Sequence, residues 1–177
     1  MSGEVSELDK AIYLKIRENV ARFIKLNASK FDAPSMKVLD VAPQDHAGAK
    51  QFFVTSDVFT ADIDPDSGAD YIIDICQRNF NVPDGSFDIV VCTEVLEHTL
   101  QPFAAVAELR RMLKPKGVLL LTTPFNFRIH GPLPDCWRFT EHGLRALLKD
   151  FDKVNIDQLE DLERFLMPFQ YTTVASR

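Results

Sequence analysis

The sequence predicts an α/β fold: a single-domain, doubly wound, mostly parallel seven-stranded sheet. Three observations predict it. Short, near-continuous Val/Ile/Leu runs recur along the chain, as strands covered on both faces require. Helical periodicity lies before and between those runs. Successive runs also end in polar residues, as strands do where they border a ligand cleft.

The elements follow in order. Ser6 and Asp9 form a capping-box pattern, and Leu8, Ile12, Ile16, Val20, Phe23 and Ile24 continue at helical spacing. This predicts an amphipathic helix over Ser6–Leu26. The Ala33-Pro34-Ser35 break divides an N-terminal helix and linker (1–33) from a core (34–177), both within one domain spanning 1–177. MKVLDVA (36–42), VFTADID (58–64), DYIIDI (70–75), FDIVVCTEV (87–95) and VLLLTTP (118–124) are the first five strands. Pro102 suits a first helical position, and Phe103, Val106, Leu109, Met112 and Leu113 form a stripe that stops near Pro115 and Gly117. Thr140 caps a shorter helix bearing Leu144, Leu147 and Leu148, and KVNIDQL (153–159) and YTTVAS (171–176) close the sheet. Helices between parallel strands imply right-handed crossovers.

Composition narrows the function. A net charge of −6 and a pI near 5.2 exclude a broad electrostatic grip on nucleic acid or an anionic membrane, so neither partner is expected. No apolar run approaches the ~20 residues that span a bilayer, and MSGEVSELDK lacks the basic-then-apolar pattern of a secretory leader. Cys76, Cys92 and Cys136 are an odd number at no metal-like spacing, which fits a reducing, cytoplasmic setting.

The strand-end residues are Asp40, Asp62, Asp64, Asp74, Thr93, Glu94, Thr122 and Thr123. Each has a purely structural reading, since Asp and Thr cap helices. Their joint arrival at successive strand ends points to a cleft. Asp62, with Asp64 a near rival, ends the second strand, where a carboxylate accepts both hydroxyls of a ribose. Asp74 and the N–H of Ile75 can read an adenine edge. Together these describe a nucleoside site.

The stretch NVPDGSFDIVVCTEVLEHTLQPFAAVAELRRMLKPKGVLLLTTP resembles the central region of class I S-adenosylmethionine methyltransferases, which have a Rossmann-like fold. KVLDVA, TADID and DYIIDI fall at the spacing of that family's first three strands, and the similarity covers roughly 36–151. The resemblance implies S-adenosyl-L-methionine as cofactor. It implies Asp62 and Ile63 at the ribose, Asp74 and Ile75 at the adenine, and Asp40, Ala42, Cys92 and Thr93 near the methionine part. The family's glycine-rich turn is replaced by Ala42, Gln44 and His46, and Pro43 removes a donor. That loss disfavours a nicotinamide dinucleotide, whose pyrophosphate needs backbone N–H groups. It is less damaging for a phosphate-free sulfonium cofactor.

His98 is the candidate base, with His130, His142 and Asp135 as weaker ones. HGPLPDCWRFTEHGL (130–144) resembles a segment of methyltransferases from glycan-biosynthesis clusters. Phe125, His130, Asp135 and Trp137 are the expected acceptor wall, for a sugar-related or other small polar acceptor methylated on oxygen or nitrogen. That face is open, or closed by the N-terminal helix or by a second copy in a homodimer. No metal is expected. As an alternative, Glu94-x-x-Glu97-His98 resembles the metal-ligating segment of small-RNA 3′-terminal 2′-O-methyltransferases, with Asp135 as the further ligand. The rival to an enzyme is a module that keeps the fold and has lost the cofactor.

Overall fold

The computed structural model describes residues 5–43 and 48–177; Gln44 and His46 lie outside the described residues. Helix α1 (Glu7–Phe31) starts at Ser6, whose hydroxyl accepts the Asp9 N–H at 3.1 Å. It runs five residues beyond the expected end at Leu26, because Asn27 and Ala28 continue the buried face. The Asp32 carboxylate then accepts the backbone N–H groups of Val54, Thr55 and Ser56, which fixes where the helix stops.

Seven strands form one sheet: β1 (Lys37–Val41), β2 (Asp57–Asp62), β3 (Tyr71–Ile72), β4 (Phe87–Thr93), β5 (Leu113–Pro124), β6 (Lys153–Leu159) and β7 (Gln170–Ser176). Their order is β3-β2-β1-β4-β5-β7-β6, with β7 antiparallel to both neighbours and the other pairings parallel. The expected doubly wound sheet is therefore present. Strand β3 is shorter than the DYIIDI run, so Asp74 and Ile75 follow the strand instead of ending it.

Two apolar layers cover the sheet. On one face Val20, Phe23, Ile24 and Ala28 of α1 pack on Val38, Ile89, Val91 and Leu120. On the other, α2 (Pro102–Met112) and α3 (Glu141–Leu147) cover Leu39, Val90, Leu119 and Leu121. Thr140 caps α3 by accepting the Gly143 N–H. Among the described residues, the β1-to-β4 connections hold only a short helical turn, Ala49–Gln51, so α1 covers the face that a crossover helix would otherwise cover.

Candidate active site

Strand order reverses between β1 and β4, and there the strand ends open into a cleft of about 860 Å³. Asp40, Ala42, Gly48, Asp62, Ile63 and Asp64 line one side; Thr93, Glu94 and His98 line the other. The wall facing them is α1, through Tyr13, Ile16, Arg17 and Val20.

On the β1–β2 side, Ala42 holds φ at +50°, the left-handed conformation that glycine favours. The backbone shape of the turn survives at this first substituted glycine position. Gly48 is needed where it stands: a Cβ there would sit 2.3 Å from Asp40 Oδ2. That same oxygen accepts the Ala49 N–H at 2.6 Å, and burial pushes the Asp40 carboxyl up to about 6 despite this bond. Asp62 spends Oδ1 on the Asp64 N–H at 2.9 Å. Its other oxygen makes no hydrogen bond among the described residues.

The opposite side is built around two glutamates. Glu94, at φ +55°, accepts hydrogen bonds at Oε1 from Thr122 Oγ1 (2.8 Å) and Gln170 Nε2 (2.7 Å). Gln170 in turn accepts from Asn19 Nδ2 at 2.6 Å, which ties α1 to the sheet. Burial raises the Glu94 pKa against those two bonds. Glu97 is 0% exposed, and neither carboxylate oxygen has a hydrogen-bond partner among the described residues. Burial, and then the charge of Glu94, raise its pKa well above the carboxylate range.

Beside Glu97 Oε1 stand His98 Nε2 at 3.8 Å and His130 Nε2 at 3.7 Å, with the two rings edge-on at 4.9 Å. The 125–139 loop reaches this point because it is stitched to the turn Leu96–His98. Cys136 and Trp137 donate their N–H groups to the Glu97 carbonyl, and Trp137 Nε1 donates to Thr99 O at 2.7 Å. A second cavity of about 850 Å³ lies beyond, lined by Tyr13, Leu14, Phe127, Ile129, His130 and Leu133. His130 borders both cavities.

Residues 12–175 match the methyltransferase-domain family. The chain belongs to that family. It is a class I S-adenosyl-L-methionine-dependent methyltransferase domain, as the ordered strand motifs implied. A stretch covering 49% of the chain is 46% identical to the ubiquinone biosynthesis O-methyltransferase of Haemophilus ducreyi, of which it covers 33%, so the chain spans about a third of that relative's length. In fold the chain is similar to the N-methyltransferase NodS from Bradyrhizobium japonicum (TM-score 0.66, 13% identity, covering 97% of this chain and 99% of that one). It is also similar to a SAM-dependent methyltransferase from Archaeoglobus fulgidus (0.64, 15%, 92% and 94%).

Within this methyltransferase domain, the expected cofactor residues Asp40, Ala42, Asp62, Ile63 and Thr93 meet in one cleft, with His98 opposite. Three other expected cofactor residues, and Phe125 of the expected acceptor wall, lie elsewhere. Cys92 is fully buried in the core because β4 is covered on both faces, and that burial raises its thiol pKa. Asp74 turns back to accept the Cys76 N–H, and Ile75 is buried in the core; neither lines the cleft. Phe125 packs edge-on to Tyr171.

The rest of the expected acceptor wall is partly structural. Trp137 stacks on Phe139 and pins the loop. Asp135 is held by Arg138 and the His130 N–H; burial pushes its pKa up, but these partners bring it down to about 2. Asp135 thus stands behind His130, and His130 takes the place beside Glu97 that the metal-site resemblance gave to Asp135. Sequence reading missed Tyr13 and Arg17, whose i, i+4 spacing beside Ile16 and Val20 was the available signal. It also missed the apolar groove, which forms only once α1 meets the loop.

Proposed function

We propose that the domain methylates a hydroxyl oxygen of a small acceptor whose body is apolar. The observation that carries this reading is His130 at the junction of a polar-ended cleft and an apolar groove. The cleft suits the donor: the Asp62 and Asp64 carboxylates border it, favouring a cationic sulfonium over a pyrophosphate. The groove favours an apolar acceptor body over the sugar-type acceptor suggested by the 130–144 segment. The name of the Haemophilus relative also supports transfer to oxygen. The free thiols Cys76, Cys92 and Cys136 support a reducing, cytoplasmic setting.

S-adenosyl-L-methionine, when bound, supplies an activated methyl group for in-line displacement at carbon. The chain supplies placement. Asp62 and Ile63 hold the ribose, and Ala42 and Gly48 border the amino-acid tail. The wall of α1 excludes water, and the groove aligns the acceptor. His98 and His130 border the cleft where the acceptor hydroxyl meets the methyl group. The second reading, a cofactor-free module, rests on Ala42, Gln44 and His46 replacing glycines. The left-handed Ala42 argues against it.

Calorimetric titration with S-adenosylhomocysteine tests the choice. Binding that Asp62→Ala weakens by about tenfold or more, followed by methyl transfer to phenols in preference to sugars, is expected. A folded protein that binds no S-adenosylhomocysteine would make the module the better account.

A further inference from the structure

We propose that Glu97, His98 and His130 hold one divalent first-row transition ion, in the manganese-to-zinc range, which presents the acceptor oxygen to the methyl donor. The acceptor's part in this rests on the methyl-transfer reading; the ion's binding does not.

The argument is an account of protons and lone pairs. His98 Nδ1 lies 2.9 Å from the Pro134 carbonyl oxygen, which can only accept, so Nδ1 carries the proton. His130 Nδ1 lies 3.1 Å from Asp135 Oδ2 and 3.4 Å from the Arg128 carbonyl oxygen, which again requires Nδ1–H. In its neutral form each ring therefore turns an unprotonated Nε2 toward Glu97. Those nitrogens stand 3.8 and 3.7 Å from Glu97 Oε1, too far for hydrogen bonds. Glu97 has no other partner among the described residues, although it is wholly buried. Three electron-rich atoms within 4.8 Å of one another, with no donor between them, form a set that a bound cation satisfies.

The spacing fits an ion. Ligands ~2.1 Å from a tetrahedral centre stand ~3.4 Å apart, so shifts of a few tenths of an ångström close the site. Asp135 behind His130 Nδ1 is the carboxylate–imidazole arrangement that orients ligating histidines, and Arg138 fixes Asp135 in turn. Two imidazoles and one carboxylate select Mn²⁺, Fe²⁺, Co²⁺ or Zn²⁺; Mg²⁺ and Ca²⁺ prefer all-oxygen sets. Three protein ligands leave a position open, and His130 places it at the boundary of cleft and groove. An acceptor hydroxyl bound there gives up its proton to solvent near neutral pH. Its oxygen then bonds to the methyl carbon as the sulfur–carbon bond breaks. The products are the methyl ether, S-adenosylhomocysteine and one proton.

The test uses EDTA-stripped protein titrated with MnCl₂, followed by electron paramagnetic resonance, and with CoCl₂, followed by visible absorbance. Each sample is also titrated with S-adenosylhomocysteine. Roughly one equivalent of Mn²⁺ with Kd below about 100 μM is expected. Glu97→Gln and His130→Gln should weaken binding by at least about tenfold, and Asp135→Asn by about tenfold. His142→Gln, an exposed histidine on α3, should leave it unchanged. His130→Gln keeps the test decisive if Glu97→Gln alters folding. Folded wild-type protein that binds neither ion at about 1 mM overturns the site, as do Glu97 and His130 variants that bind like wild type. Such a result beside intact S-adenosylhomocysteine binding sinks the ion and spares the methyl-transfer reading. Metal binding without S-adenosylhomocysteine binding does the reverse.

Discussion

Glu108 and Glu97 are buried to nearly the same degree, 6% and 0% exposed, and end in opposite situations. On α2, Glu108 receives Arg111 Nε at 2.7 Å and Nη2 at 2.8 Å, with the Asn79 N–H and Nδ2 completing its shell. Burial pushes its pKa up, yet these partners bring it below the usual value. Glu97 has the same burial and no such shell, so its pKa rises. Depth alone does not separate a structural carboxylate from a functional one. Counting the donors that reach each oxygen does.

The contrast can be broken most severely at Arg111. Arg111→Met leaves Glu108 buried without its counter-ion and should cost about 3–5 kcal/mol in urea unfolding. A loss below about 1 kcal/mol would mean that the network is ornamental and the contrast empty.

Asp40 lies between the two cases, buried with a single hydrogen bond. Its folded pKa of about 6 exceeds the unfolded value, so the folded state keeps a proton that the unfolded chain has released. The stability attached to Asp40 is full below about pH 4 and is lost as pH rises through about 6, by up to about 1.4 kcal/mol per unit. Asp40→Asn should remove that share of the slope in unfolding curves taken across this range. An unchanged slope would assign the effect to Glu94 and Glu97 alone.

Glu97 itself should behave as no structural carboxylate does. In EDTA-treated protein, Glu97→Gln should leave stability unchanged or raise it by about 1 kcal/mol, because it replaces a buried carboxyl whose oxygens have no hydrogen-bond partner among the described residues. A loss comparable to that of Arg111→Met would show that Glu97 is a structural residue. The smallest effect lies at the turn. Ala42→Gly relieves a left-handed alanine and should stabilise by less than about 1 kcal/mol, since glycine's extra freedom offsets part of the gain. S-adenosylhomocysteine affinity should hold or improve.

What was legible in the sequence follows from the range of the interactions involved. The strands, the Ser6 and Thr140 caps and the cleft position of Asp62 rest on local pattern, and all were readable. The Glu108–Arg111 pair is likewise one turn of helix. The partners of Glu97 are not local: His130 arrives on a loop that is positioned by the Glu97 carbonyl, Thr99 and Asp135. The family resemblance gave Asp135 the place that geometry gives His130, because only the folded loop shows which residue stands in front. Cys92 misled for a related reason: its place near a strand end said nothing of the layer that covers it.

The hydrogen bond between Asn19 and Gln170 joins positions 151 residues apart. Synthesis delivers α1 early and β7 late, so α1 is made well before Gln170 is available to hold it. Such long-range closure is slow compared with forming local helices. The wall of the cleft should therefore close late, and recovery of S-adenosylhomocysteine binding during refolding should lag behind recovery of helix. A lag of that kind would make ligand binding a clock for the final folding step.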